Sequence, residues 1–222
     1  MQKKADIPYR QELLRKSIHL CSLLIPVLYI PMDKLLALKI LVPITVVAFL
    51  ADILRNFFAP ARAFVNKYFG GMLREHELDE KRFILNGATY VLLAACVAIV
   101  AFPKIIAITA FSILIISDMA AALIGRKFGQ HSFFDKSLEG TSAFIISGII
   151  IVAIIGVNSN APWTFYLAGA VGAVAGGVIE AASIKLRLDD NFSIPLTVGS
   201  IMWILDIIFK NIYNISFVNL LS

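Results

Sequence analysis

Seven almost wholly apolar stretches follow one another along 222 residues, at 18–31, 35–54, 83–102, 105–124, 141–157, 163–183 and 194–209. A helix needs roughly 20 mostly apolar residues to cross about 30 Å of hydrocarbon. Most of these runs are near that length, and the segments between them are too short to form a second, soluble domain. The pattern predicts an all-α polytopic transmembrane bundle of about seven spans, with residues 1–222 as a single membrane domain. Composition agrees: hydrophobic residues make up 59% of the chain and charged residues 16%, and the mean hydropathy is +0.84, beyond the range of ordinary soluble domains. The first run is short and contains Pro26, so it either crosses kinked or borrows length from a helix beginning near Pro8.

The cations orient the bundle. The N-terminal segment carries five Lys or Arg, the loop 55–82 six, the loop 126–136 three and the loop 185–187 two, which leaves Lys34, Lys39, Lys104 and Lys210 for the other side. Positive loops stay in the cytoplasm, so the N-terminus is expected there, with the polar loops gathered beside it. The net charge of +5 is thus topological. The cations form no basic stripe with stacking aromatics, which argues against a nucleic-acid partner. Between the second and third runs, segment 56–83 interleaves Phe57, Phe58, Phe64, Tyr68 and Phe69 with Arg62, Lys67 and Arg74. That mixture predicts an amphipathic helix in the headgroup layer, with Pro60 near its start and Gly70 and Gly71 at its end. Cys21 and Cys96 lie in apolar runs, without the spacing of a metal site. In the sixth run, Gly169, Gly172, Ala173, Gly176 and Gly177 give a small-residue stripe for close helix packing and offer a contact for a homodimer.

Asp118 needs the most explanation, because a carboxylate in mid-membrane costs about 2.5 to 3.5 kcal/mol on insertion scales. Either a Lys or Arg from another span offsets that cost, or the carboxylate serves a ligand. The loop that follows offers the groups a nucleotide site needs. Arg126 and Lys136 can neutralise phosphates, Gly125, Gly129 and Gly140 admit close backbone approach, and Ser137 and Thr141 supply hydroxyls or start the next helix. It is not a Walker A loop, which would require Gly where Asp135 stands. Glu180, Asp189 and Asp190 return acids to the same face, as oxygen ligands for Mg²⁺ or as a helix cap. His19 shares a helix face with Arg15 and Lys16, where it either packs or deprotonates a hydroxyl. Asp52 and Arg55, at i and i+3, read as a helix-end ion pair, with membership of the site as the alternative.

Ser117-Asp118, then Gly125-Arg126 and Gly129, followed by Lys136-Ser137 and Glu139-Gly140-Thr141, resemble the CTP-dependent lipid-alcohol kinases. That family includes dolichol kinase, phytol and farnesol kinases and CTP-dependent diacylglycerol kinase. Arg15-Lys16 with His19, Gly87 with Thr89-Tyr90, Glu180, and Asp189-Asp190-Asn191 up to Pro195 extend the likeness over about residues 15–209. The resemblance implies transfer of the terminal phosphate of CTP to a membrane-embedded lipid alcohol, such as phytol, farnesol, a polyprenol or diacylglycerol, at the cytoplasmic face. It implies Mg²⁺ held by Asp118 with Glu139, Glu180, Asp189 and Asp190. It also implies nucleotide contacts from Arg15, Ser117, Gly125, Arg126, Gly129, Lys136, Ser137, Gly140 and Thr141, and catalytic work by Asp118, Lys136, Glu139 and His19. Two other functions fit the same residues: a CTP-using cytidylyltransferase that makes a CDP-lipid, and an ion-coupled transporter.

Overall fold

The computed structural model describes residues 16–17, 19–69, 85–186 and 189–221. Its elements are α1 (Leu24–Tyr29), α2 (Lys34–Phe57), α3 (Ala59–Phe69), α4 (Gly87–Ala101), α5 (Lys104–Phe128), a minimal hairpin β1 (Ser132–Phe133) and β2 (Lys136–Ser137), α6 (Leu138–Asn158), α7 (Trp163–Leu186) and α8 (Asp190–Tyr213). The chain is an all-α membrane protein in which α2, α5, α6, α7 and α8 are long and apolar enough to cross a bilayer. The other two runs form shorter apolar helices, His19–Tyr29 and Gly87–Ala101. In α4 the reason is local. Asn86 accepts a hydrogen bond from Thr89 N at 2.9 Å and starts the helix late, and Phe102 and Pro103 end it. Its 15 residues reach ~22 Å, less than the hydrocarbon thickness.

Side-chain caps set the other boundaries. Asp33 accepts from Leu36 N at 2.8 Å and begins α2, Ser137 accepts from Gly140 N at 3.1 Å and begins α6, and Asp189 accepts from Asn191 N at 3.0 Å and begins α8. Each satisfies an orphan N–H of a first turn. At the far end of α8, Asn214 takes a left-handed conformation with φ 54°, and Asp206 draws the chain back. The Asp206 carboxylate accepts from Ser216 Oγ at 2.9 Å and Phe217 N at 2.7 Å, so this buried acid closes the C-terminal turn.

α5 is the central post, with Ile105, Ile106, Ile113, Leu114 and Ile115 fully enclosed. α6, α7 and α8 pack successively beside it, while α2 exposes most of its length, as a lipid-facing helix does. The small residues of α7 are used within one chain. A Cβ on Gly176 would come within 2.9 Å of Val198 on α8, and one on Gly177 within 2.9 Å of Ile145 on α6. The stripe read as a packing face therefore packs α7 against its own neighbours.

An 11-residue helix, α3, does follow the second long span. Arg62 turns back from it, donating to Asn56 O at 2.7 Å, which covers the carbonyl end of α2. Gly70 and Gly71, expected at its end, lie outside the described residues. Asp52 and Arg55 approach to 3.7 Å, and Asp52 also accepts from Asn86 N at 2.9 Å and Asn86 Nδ2 at 2.8 Å. This buried acid ties α2 to the start of α4, in keeping with the ion-pair reading.

Candidate active site

The site forms where the C-terminal half of α5, the helical turn before α1, the hairpin, and the facing ends of α7 and α8 come together. Asp118, on α5, is 4% exposed and pairs with Lys16, which is 3% exposed. The same ammonium lies 3.4 Å from the Asp118 carbonyl, and His19 Nε2 is 3.7 Å from Asp118 Oδ2. A residue from another helix thus offsets the cost of burying this carboxylate, as a buried charge requires.

A second pairing stands beside the first. Lys136, on β2, pairs with Glu180 of α7 and lies 3.8 Å from Asp190 Oδ2 at the start of α8. Burial pushes the Lys136 ammonium towards its neutral form, but the carboxylates of Glu180, Asp190 and Asp118 outweigh that, and its pKa stands above the ordinary 10.5. The influence of Asp118 on Lys136 joins the two pairings into one patch. Two lysines face three carboxylates there, with His19 alongside. Polar capacity remains unused: Glu180 Oε2, Ser117 Oγ and Thr141 Oγ1 are buried without a hydrogen-bond partner among the described residues.

The hairpin that carries Lys136 is clamped in place. Asp135 N donates to Ala181 O at 3.3 Å, and Lys185 N donates to Asp135 Oδ2 at 2.7 Å. Phe134, at the turn, sits at φ 50°, a strained conformation for an aromatic residue that the surrounding bonds must hold.

Gly125, Gly129 and Gly140 face protein atoms. A Cβ on Gly140 would lie 3.0 Å from Ala121 O and 3.2 Å from Gly125 Cα, one on Gly125 would lie 2.9 Å from Ser137 Oγ, and one on Gly129 would collide with Gly125 O. The backbones of α5 and α6 therefore cross almost in contact where the hairpin joins them. Glu139, in the first turn of α6, pairs with His131, Oε1 to Nδ1 at 2.7 Å. Asp189 caps α8. Arg126 and Lys127 occupy the exposed last turn of α5, suitably placed to offset the negative end of its dipole. Arg15 lies outside the described residues.

Asp118, His19, Lys136, Glu180 and Asp190 are thus gathered in one place, with Ser117 and Thr141 buried on the flanking helices. Sequence reading assigned Lys16 no role of its own; its signal was the shared helix face with His19, three residues on. His131 was missed because nothing in its surroundings announces that Glu139 will fold back to it.

No protein-family model matches the chain, and no solved structure matches it. It is 31% identical over 197 residues to the uncharacterized protein RP860 of Rickettsia prowazekii, covering 88% of this chain and 94% of that protein. It is 25% identical over 174 residues to CTP-dependent diacylglycerol kinase 1 of Schizosaccharomyces pombe, covering 71% of this chain and 76% of that enzyme. With the Saccharomyces cerevisiae protein of the same name it shares 28% identity over 171 residues, 68% of this chain and 58% of that enzyme.

Proposed function

This chain belongs to the family of the Rickettsia prowazekii protein RP860, and from that footing we propose that it is a membrane kinase that moves the terminal phosphate of CTP to the hydroxyl of a lipid alcohol, releasing CDP. Lipid-kinase chemistry is suggested by the distant similarity to two CTP-dependent diacylglycerol kinases. Diacylglycerol is accordingly the first acceptor to test, ahead of phytol, farnesol or a polyprenol. The observation that carries the reading is the buried patch in which Lys16 and Lys136 stand among Asp118, Glu180 and Asp190.

In this reading Lys136 exchanges part of its contact with Glu180 and Asp190 for the phosphates, and Arg126 approaches them from the loop side. Lys16 and His19 hold Asp118 in one orientation, with its free lone pairs directed at the reacting groups. Because the transferring phosphoryl group demands little covalent chemistry from the protein, fixing the alcohol and the phosphate in line is the main catalytic device.

Mg²⁺ prefers oxygen ligands and is usually held by one or two carboxylates together with substrate phosphates. Glu180 Oε2, buried and without a hydrogen-bond partner among the described residues, and the neighbouring Asp190 suit that role. Among the described residues no group of three His, Cys, Asp or Glu side chains is placed to hold a metal unaided, so the residues fit an ion that arrives with the triphosphate. When bound, such an ion neutralises charge on the phosphates.

The test is to incubate the purified protein in nanodiscs with Mg²⁺, diacylglycerol or isoprenoid alcohols, and CTP labelled on its terminal phosphate. The expected products are labelled lipid phosphate and CDP. In a parallel reaction with phosphatidate in place of the alcohol, release of labelled pyrophosphate with cytidine in the lipid would point to a cytidylyltransferase, and transfer to no alcohol would defeat the kinase reading.

A further inference from the structure

A groove of about 540 Å³ runs along the outer face of α6, walled by Ile124 of α5 and by Leu138, Ala143, Ile146, Ser147 and Ile150. We propose that it seats the hydrocarbon chain of the alcohol acceptor while His131 and Glu139 hold the hydroxyl at its mouth. The identity of the occupant as an acceptor rests on the kinase reading above.

Two serines, Ser142 near the mouth and Ser147 deeper in, interrupt an otherwise apolar wall. Ser147 Oγ donates to Ala143 O at 2.7 Å, so its hydroxyl is satisfied by its own helix. The hydrogen-bonding end is Glu139, which lines the groove and pairs with His131 at 2.7 Å. When His131 Nδ1 donates to that carboxylate, Nε2 remains as an acceptor, the group a hydroxyl hydrogen requires.

Length and charge select the occupant. From Glu139 to Ile150 the helix rises ~16 Å, about half of the ~30 Å hydrocarbon core. That depth matches a chain from one leaflet, whereas a helix of a second copy would lie along the full span. The carboxylate at the mouth repels a phosphodiester headgroup and accepts an uncharged hydroxyl, which favours an alcohol over an ordinary phospholipid. The mouth also lies near the patch. Glu139 follows Lys136 by three positions, so their backbones are at most ~11 Å apart.

The experiment uses a long-chain alcohol carrying a diazirine in its tail, with the full-length protein in nanodiscs. The expected result is adducts mapped by mass spectrometry to residues 142–150, displaced by diacylglycerol and not by phosphatidylcholine. Ser147→Trp should cut the adducts severalfold and raise the KM for the alcohol about tenfold, with the KM for CTP unchanged; Ala143→Leu, a milder filling of the same space, should act in the same direction. Equal labelling of the exposed face of α2, equal displacement by phosphatidylcholine, or links between two copies through this face would each overturn the proposal. The two readings fail separately. Specific adducts without any phosphate transfer would defeat the kinase and leave the groove standing, whereas normal kinetics in both variants would defeat the groove alone.

Discussion

The main-chain N–H of Lys185 donates to Asp135 Oδ2 at 2.7 Å, fastening the hairpin to the end of α7 one residue before Lys136. The ammonium of Lys136 meets Glu180 and Asp190 because this clamp, more than 40 residues away along the chain, holds its backbone still. Asp135→Ala removes the acceptor from a charge-assisted bond at an exposed position, so stability should fall by only about 1 kcal/mol. Turnover should fall about 10- to 100-fold through misplacement of Lys136. Thermal unfolding in detergent and steady-state kinetics measure the two; an unchanged kcat would show that the clamp does not position the lysine.

The Lys16–Asp118 pair separates stability from function. Removing one partner of a buried pair leaves an uncompensated charge, whereas removing both can be nearly neutral. Lys16→Met alone is therefore expected to destabilise the protein by about 3 kcal/mol. The double variant with Asp118→Asn should recover most of that loss and remain inactive. Asp118→Asn alone, which leaves the Lys16 ammonium unpaired, should lose a comparable amount of stability, stay folded in detergent and turn over no substrate. Unfolding midpoints and turnover for the three proteins check this, and activity in the double variant would remove Asp118 from the chemistry.

The helical class and the places where the long spans lie were legible because lipid imposes a length and an apolarity that each run shows by itself. The shortening of α4 was less so, since it depends on Asn86 being consumed as a cap and as a partner of Asp52. Single residues of the site could be read wherever burial made a charge costly, as with Asp118. The partner that offsets that cost could not, because Lys16 is 102 residues away and periodicity specifies a helix face without saying what meets it. Glu139 illustrates the limit. The resemblance placed it in the site, but its pairing with His131 depends on how the hairpin folds back, which the chain does not announce.

Lys136 gives a pH dependence with a definite sign. Its pKa is raised in the folded protein, so the folded state binds this proton more tightly than the unfolded chain does. The resulting stability is fully present below the ordinary lysine value of 10.5 and is lost as pH rises through the higher folded value. Wild-type protein should lose stability steeply in strong alkali, and Lys136→Met should show a smaller alkaline slope together with lower stability at neutral pH. Unfolding midpoints across an alkaline pH series measure both, and parallel curves would show that Lys136 is not the group responsible.

The glycine crossing separates packing from ligand approach. At Gly125 the nearest obstacle to a new Cβ is Ser137 Oγ at 2.9 Å, with Gly140 Cα at an ordinary 3.4 Å. At Gly129 the nearest obstacle is the backbone carbonyl of Gly125, ahead of Ser137 Oγ at 2.7 Å and Cβ at 2.8 Å, and that carbonyl has no rotamer to change. Gly125→Ala should therefore destabilise by about 1 to 3 kcal/mol, as overpacking does. Adding Ser137→Ala, which removes that oxygen at the cost of an N-cap worth about 1 kcal/mol, should leave the double variant no worse than the sum of the two changes and at best restore it. Gly129→Ala should show no such relief, because clearing Ser137 does not move the carbonyl. Thermal unfolding of the three single variants and of the two double variants that add Ser137→Ala decides the matter. Normal stability in Gly129→Ala, with only the KM for CTP raised, would mean that the glycines make room for the nucleotide and not for each other.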